Sequence, residues 1–397
     1  MTGMLICCIV FILIKMQIEK FRQKQKELLS FLTTGKNLNP TESPVTIKML
    51  QFDSKGLTDF DFNKSTYIGR DASIKENSSF YYPVFTPSGS ARSKSFILLL
   101  HGLNERKWDK YLYWAEYLTL NTGKPVVLFP LAFHINRSPS WWADPRLMWS
   151  LLKKRSKGTL NNRSLSFANA ALSERLTEEP SRFFSSGFQT ILDIISLTRQ
   201  IKSGVNPEFT EDASIDIFSY SIGSFLAEIL LMADPFKLFT NSRLFIFCGG
   251  SIFSSMYGES KYIMDKTAYE KLFSYYCNEW FNDDLNKFGN GEMVHDNIIS
   301  AFNSMIRQDK LKTEREKFFT NSKYRISGIS LLKDKVMPWP GIEACMGSNI
   351  AADCFKLMDF PYAYTHESPF PVNSDVNDNL LNSSFRKVFQ KAVAFLA

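Results

Sequence analysis

The stretch Ile215-Asp216-Ile217-Phe218-Ser219-Tyr220-Ser221-Ile222-Gly223, continuing through Ser224 to Met232, decides how this chain is read. The apolar character of 215–218 predicts a short buried strand, and the helix-length run that follows predicts a helix over 222–232. Ser221 therefore falls on a sharp turn from strand to helix. A hydroxyl on such a turn is lifted clear of the sheet and faces the positive end of the following helix, and its strained backbone tolerates only small neighbours. Ser219 and Gly223, on either side, meet that demand, although turns of this kind usually carry glycine at both places. Ser-x-Gly recurs elsewhere in the chain, but only here does it combine a small upstream residue with the strand-to-helix context.

Outward from this turn, from about residue 45, short apolar runs alternate with helix-length segments, as expected of strands crossed over by helices. Strands are predicted over 45–52, 80–86, 96–100, 125–131, 215–218, 244–247, 326–332 and 355–358, with Pro83 placing the second near a sheet edge. The run Phe96–Leu100 has no polar alternation, which marks a parallel strand buried on both faces. Helices are predicted over 108–120, 183–201, 222–232 and 380–396. The fold class is α/β: a doubly wound, mostly parallel sheet. Residues 1–40 form an extension and 41–397 the main domain, in which two stretches, about 136–180 and 251–322, are too long for simple crossovers. Insertions of this length at strand ends predict a cap or lid over a site.

With these elements in place the chain, over roughly residues 80–397, resembles the α/β-hydrolase superfamily. The resemblance is carried by Ser219-Tyr220-Ser221-Ile222-Gly223 and by His101-Gly102-Leu103, which follows the strand 96–100 where the superfamily's oxyanion-hole segment lies. It implies a nucleophile at Ser221 and backbone N–H donors at Leu103 and Ile222, with Gly102 allowing the close approach. The superfamily order of serine, acid, histidine implies His366 as the base, because His101 and His134 precede Ser221 and His295 falls within the second long insertion. For the acid it implies Asp334, in Asp334-Lys335-Val336-Met337-Pro338, with Glu343, Asp353 and Asp359 as rivals. His134, Arg137 and Trp142, beside a predicted strand end, are candidates to line a substrate pocket; core packing accounts for the tryptophans of this region equally well.

Composition narrows the function classes. With 44% hydrophobic and 22% charged residues the chain buries a large core, which excludes a disordered tail protein. The net charge of +7 hardly signals nucleic acid, since six of the cations, against two acids, crowd into the first forty residues. No cysteine pair or Cys/His cluster has metal-ligand spacing, so neither a metal nor another cofactor is expected. Free thiols point to a reducing, cytoplasmic setting. The apolar run 4–14 is too short to span a bilayer, but followed by the basic residues up to 26 it offers an alternative, weak attachment to a membrane surface.

Two readings follow. The first is a serine hydrolase acting through an acyl-enzyme on a small ester-like molecule, with amides and thioesters as neighbouring chemistries. The second is a noncatalytic binding or scaffold module that keeps the fold. A dinucleotide-binding oxidoreductase is excluded, because no G-x-G-x-x-G turn follows an early strand.

Overall fold

The computed structural model describes residues 44–57, 70–157, 162–282, 293–372 and 375–397. The extension 1–40, with its apolar and basic runs, lies outside the described residues.

Eight strands form one sheet: β1 (Val45–Asp53), β2 (Ser79–Pro87), β3 (Ser93–Leu100), β4 (Val126–Leu128), β5 (Phe209–Tyr220), β6 (Leu244–Phe247), β7 (Ile326–Leu331) and β8 (Phe355–Met358). Their spatial order is β1-β2-β4-β3-β5-β6-β7-β8. β2 runs antiparallel to both β1 and β4, and every pairing from β4 to β8 is parallel. That order, with a serine on the turn after β5, is the α/β-hydrolase fold.

The inner parallel strands are buried on both faces along their apolar runs, and their two-residue period sorts side chains between two cores. Phe96, Leu98 and Leu100 of β3, with Leu244 and Ile246 of β6, join the core beneath the helices Arg182–Lys202 and Ile222–Ala233. Ile97 and Leu99, with Phe245 and Phe247, join the core beneath the helices Asp109–Thr122 and Asp378–Leu396. Each such side chain, fully buried, contributes about 1.5–3 kcal/mol. A one-residue slip would exchange the two sets, so the register is tightly specified.

Pro83 lies one strand in from the edge, with β1 covering β2 along its whole length. Two expectations shift. β4 stops at Leu128, short of the predicted 131: Phe129 still bonds back to Leu99, but Pro130 has no N–H, and Leu131 N–H donates to the ring of His101 instead. β5 begins six residues before the predicted start, because Phe209 already pairs with Ser93 of β3 and Ser214 with Ser95, the residues between them being taken up in a register shift.

Both insertions are helical. The first supplies Pro145–Lys157 and Ala170–Glu178, and the second Lys266–Ser274, Met293–Ser304 and Lys312–Ser322. They pack against each other, and Arg155 clamps them by a bidentate pair with Asp265, at 2.7 and 2.8 Å, and a further bond to Glu174.

One core residue breaks the pattern. Glu228, in the middle of Ile222–Ala233, is fully buried, and neither carboxylate oxygen has a hydrogen-bond partner among the described residues. Burial pushes its pKa well above the usual carboxylate value, so it is held as the neutral acid. The folded chain then keeps a proton that the unfolded chain releases once the pH passes the ordinary glutamate range. Stability is therefore lost as pH rises through that window, by up to about 1.4 kcal/mol per pH unit. Glu228→Met is expected to raise the unfolding midpoint at neutral pH and flatten its pH dependence, measured by denaturant melts from pH 5 to 9.

Candidate active site

Ser221 sits on the turn between β5 and its following helix, at φ 57° and ψ −127°, a conformation that non-glycine residues rarely adopt. Gly223 makes the turn possible: a Cβ there would lie 2.6 Å from the carbonyl oxygen of Leu100 and 2.7 Å from that of His101. Ser219, where glycine is usual, fits because its hydroxyl bonds to Ser224 Oγ at 3.0 Å inside the core. The turn is tied to its neighbour strand by Ser221 N–H to Phe247 O, 3.3 Å.

The other two candidates arrive from the loops after β7 and β8. His366 Nε2 lies 2.6 Å from Ser221 Oγ, and its Nδ1 lies 2.8 Å from Asp334 Oδ2. Asp334 Oδ1 accepts the N–H groups of Val336 and Met337, both at 2.9 Å, which orients the carboxylate and leaves Oδ2 for the ring. Burial works to raise the Asp334 pKa, but His366 and the two backbone donors outweigh it and hold the carboxyl below the usual range. With an acceptor at Nδ1, the neutral imidazole carries its proton there and presents a bare Nε2 to the serine. All three side chains are buried. The rival acids are engaged elsewhere: Asp353 pairs with Lys323, and Asp359 with Lys333 and Tyr364.

The two expected donors also lie beside the serine. Leu103 and Ile222 line the small pocket that Ser221 itself lines, and their N–H groups meet no protein acceptor among the described residues. Gly102 does not join them as a donor, because its N–H is already given to Tyr111 Oη at 3.0 Å. Its lack of a side chain still matters, since a Cβ would press on the Tyr220 ring at 3.3 Å. His101 shapes this segment: Nδ1–H donates to Gly102 O at 2.8 Å, and Nε2 accepts Leu131 N–H at 2.9 Å. Burial drives its pKa well down, so it is a neutral strut.

Two pockets share Leu103, Phe183 and Ile222. The smaller, which holds Ser221, is lined by apolar residues of the second insertion and by Val336 and Met337. The larger encloses about 1030 Å³ including its open mouth, and both His134 and Trp142 line it. Arg137 does not. Its guanidinium is fully buried and consumed by Asp193 at 2.7 Å, Asn77 at 3.0 Å and Pro130 O at 3.1 Å. A buried cation is tolerable only when so paired, and Arg137 therefore braces the loop after β4 and lines neither pocket.

Sequence reasoning missed the supports. Tyr220 stacks its ring on His366, with centroids 5.5 Å apart, and donates its hydroxyl to the His366 carbonyl. Lys110 Nζ lies 4.6 Å from the centroid of the Tyr220 ring and bonds to Glu367 O at 3.0 Å. Cys248, after β6, stands near Asp334; burial first and that carboxylate second raise its pKa well above the usual thiol value, so it remains a thiol. No spacing rule exposes these residues, because each acts through a contact distant in sequence.

A family model described as "Family of unknown function (DUF6051)" matches residues 6–397. The chain belongs to the DUF6051 family. No curated protein matches this DUF6051 chain. Among solved structures it is similar to brefeldin A esterase, a bacterial homologue of human hormone sensitive lipase, at 10% identity and TM-score 0.47, over 97% of this chain and 85% of that one. It is also similar to an esterase from Pseudomonas putida ECU1011, at 10% identity and TM-score 0.40 over 97% of each chain. A Pyrobaculum calidifontis esterase matches at 8% identity and TM-score 0.40, over 96% of this chain and 92% of that one. These likenesses are distant, and the fold stands on the strand order and the turn at Ser221. Among the described residues of the DUF6051 chain, no helix is long and apolar enough to cross a membrane.

Proposed function

We propose that this chain is a serine hydrolase that cleaves a carboxylic ester through an acyl-enzyme. The observation that carries the reading is the in-line series Ser221 Oγ, His366 Nε2, His366 Nδ1, Asp334 Oδ2, at 2.6 and 2.8 Å. As Ser221 Oγ bonds to the substrate carbonyl carbon, His366 Nε2 takes its proton and Asp334 stabilises the imidazolium. The carbonyl oxygen gains negative charge opposite the N–H groups of Leu103 and Ile222. Collapse expels the alcohol, which leaves with the proton from Nε2. A water then repeats the sequence: it gives a proton to His366, its oxygen bonds to the acyl carbon, and the proton returns to Ser221 as the acid departs. Amides and thioesters can follow the same steps; the smaller, apolar pocket beside Ser221 favours the less demanding ester.

The alternative, a noncatalytic scaffold, has no use for a serine held at a strained φ of 57° or for an ordered series of three buried polar groups. Backbone strain of this kind costs about 1–3 kcal/mol and persists where it serves a site. A fluorophosphonate reagent tests the reading, since it phosphonylates only an activated serine. The wild-type chain is expected to be labelled and Ser221→Ala to stay unlabelled. A correctly folded wild-type chain that takes no label overturns the hydrolase reading in favour of the scaffold.

A further inference from the structure

Gly187 lies inside the 21-residue helix Arg182–Lys202, where glycine is the least favourable residue after proline. Nothing in the local backbone asks for it. Every other described glycine has either a positive φ or an atom within 3.3 Å of where a Cβ would stand. Gly187 has neither: its φ is not positive, and the nearest atom to an added Cβ, Leu226 Cδ1, lies at an ordinary 3.7 Å. What the missing side chain leaves open is space. Gly187 keeps part of its surface accessible, and both it and Leu226 line the larger pocket.

That pocket is walled mostly by hydrocarbon, with Phe183, Phe184, Phe188, Phe225 and Phe302 among its side chains. Its ion pairs are made within the protein: Arg175 and Arg182 share Asp71, and Glu105 pairs with Lys110. The two pockets meet at Leu103 and Ile222, whose N–H groups flank the place of the substrate's carbonyl oxygen. The smaller, about 460 Å³ on the same measure, is lined by Val336 and Met337, which hold Asp334, and so lies on the imidazole side. The larger contains no residue of that loop. An alcohol that takes its proton from His366 Nε2 departs on the imidazole side, which leaves the larger pocket to the acyl chain.

We propose that the larger pocket receives a long apolar acyl chain, and that Gly187 is the specificity-determining residue that sets how long a chain it accepts. This rests on the hydrolase reading and names the substrate class for it: fatty acyl esters of small alcohols. A side chain at 187 would stand beside Leu226 in the space the acyl chain fills. Helix stability is given up at this position for pocket depth.

The test measures kcat/KM on p-nitrophenyl esters from acetate to dodecanoate. In the wild type it is expected to climb by about fourfold per methylene until the pocket is full. Gly187→Leu is expected to lower the decanoate-to-acetate ratio by about two orders of magnitude, because its four carbons displace as many methylenes. Gly187→Ala should lower that ratio by only about fourfold while raising the thermal midpoint, which keeps the test open if the leucine variant fails to fold. A parallel series of alkyl acetates, lengthened on the alcohol, should respond alike in wild type and both variants. A flat acyl profile in the wild type, an unchanged ratio in the variants, or an equal shift in the alcohol series overturns the proposal. If no ester of any length is cleaved, the hydrolase reading fails separately. Calorimetric binding of alkanoates from butanoate to decanoate then decides the pocket: affinity that tightens with length and is lost in Gly187→Leu supports it, and affinity independent of length or of the substitution overturns it.

Discussion

Replacing His366 with glutamine is expected to lower kcat on any ester this chain cleaves by about 10⁶-fold, the loss seen when the base of such a triad is removed. Glutamine keeps much of the volume and leaves the His366 main-chain carbonyl for Tyr220, so the fold should survive. What it lacks is a basic nitrogen 2.6 Å from Ser221 Oγ. A free serine hydroxyl ionises far above neutral pH, and without a base at that distance attack must proceed from the neutral alcohol. Single-turnover kinetics on a p-nitrophenyl ester check the prediction, with a thermal melt to show that the variant is folded. A His366→Gln rate within tenfold of wild type would remove His366 from the mechanism.

Asp334→Asn is expected to cost about 10⁴-fold in kcat through the tautomer of His366 and not through its position. The Asn carbonyl can still accept the N–H groups of Val336 and Met337, which the carboxylate now holds at 2.9 Å. Its NH₂ then faces Nδ1 and donates to it. The ring must carry its proton on Nε2, where it can no longer take one from Ser221. The same carboxylate also links stability to pH. Because its folded pKa lies below the usual value, it stabilises the fold above the ordinary aspartate range, and that contribution disappears as pH falls through the folded pKa. Asp334→Asn should therefore unfold with less dependence on acid below about pH 4 than the wild type. An Asn variant that retains wild-type kcat would show that the Nδ1 contact is ornamental.

Much of this was legible along the chain. Hydropathy places β6 and β8 at their observed bounds, and the run Phe96–Leu100 announces a strand buried on both faces. The serine turn is legible because its requirements are local: a strand end, small neighbours and a helix start within a few residues. Other features were not. The polar start of β5 carries no apolar signal, since its pairing with β3 is made across a bulge. Arg137 reads as a pocket residue by position, and only its partner Asp193, on another helix, shows it to be a brace. Gly102 reads as a residue that allows close approach, and only the structure shows that the Tyr220 ring is what its missing side chain makes room for.

The sequence by itself determined the alternation of strands and helices, the strained serine turn and the short list from which an acid and a base had to come. These are written in periodicity and local backbone sterics, which act over a few residues. The tertiary structure alone decided that Asp334 and not Asp353 or Asp359 faces His366, and that Tyr220 supports the imidazole. Those outcomes depend on which loops the sheet order brings together at one end. That arrangement does not exist until the chain has closed on itself.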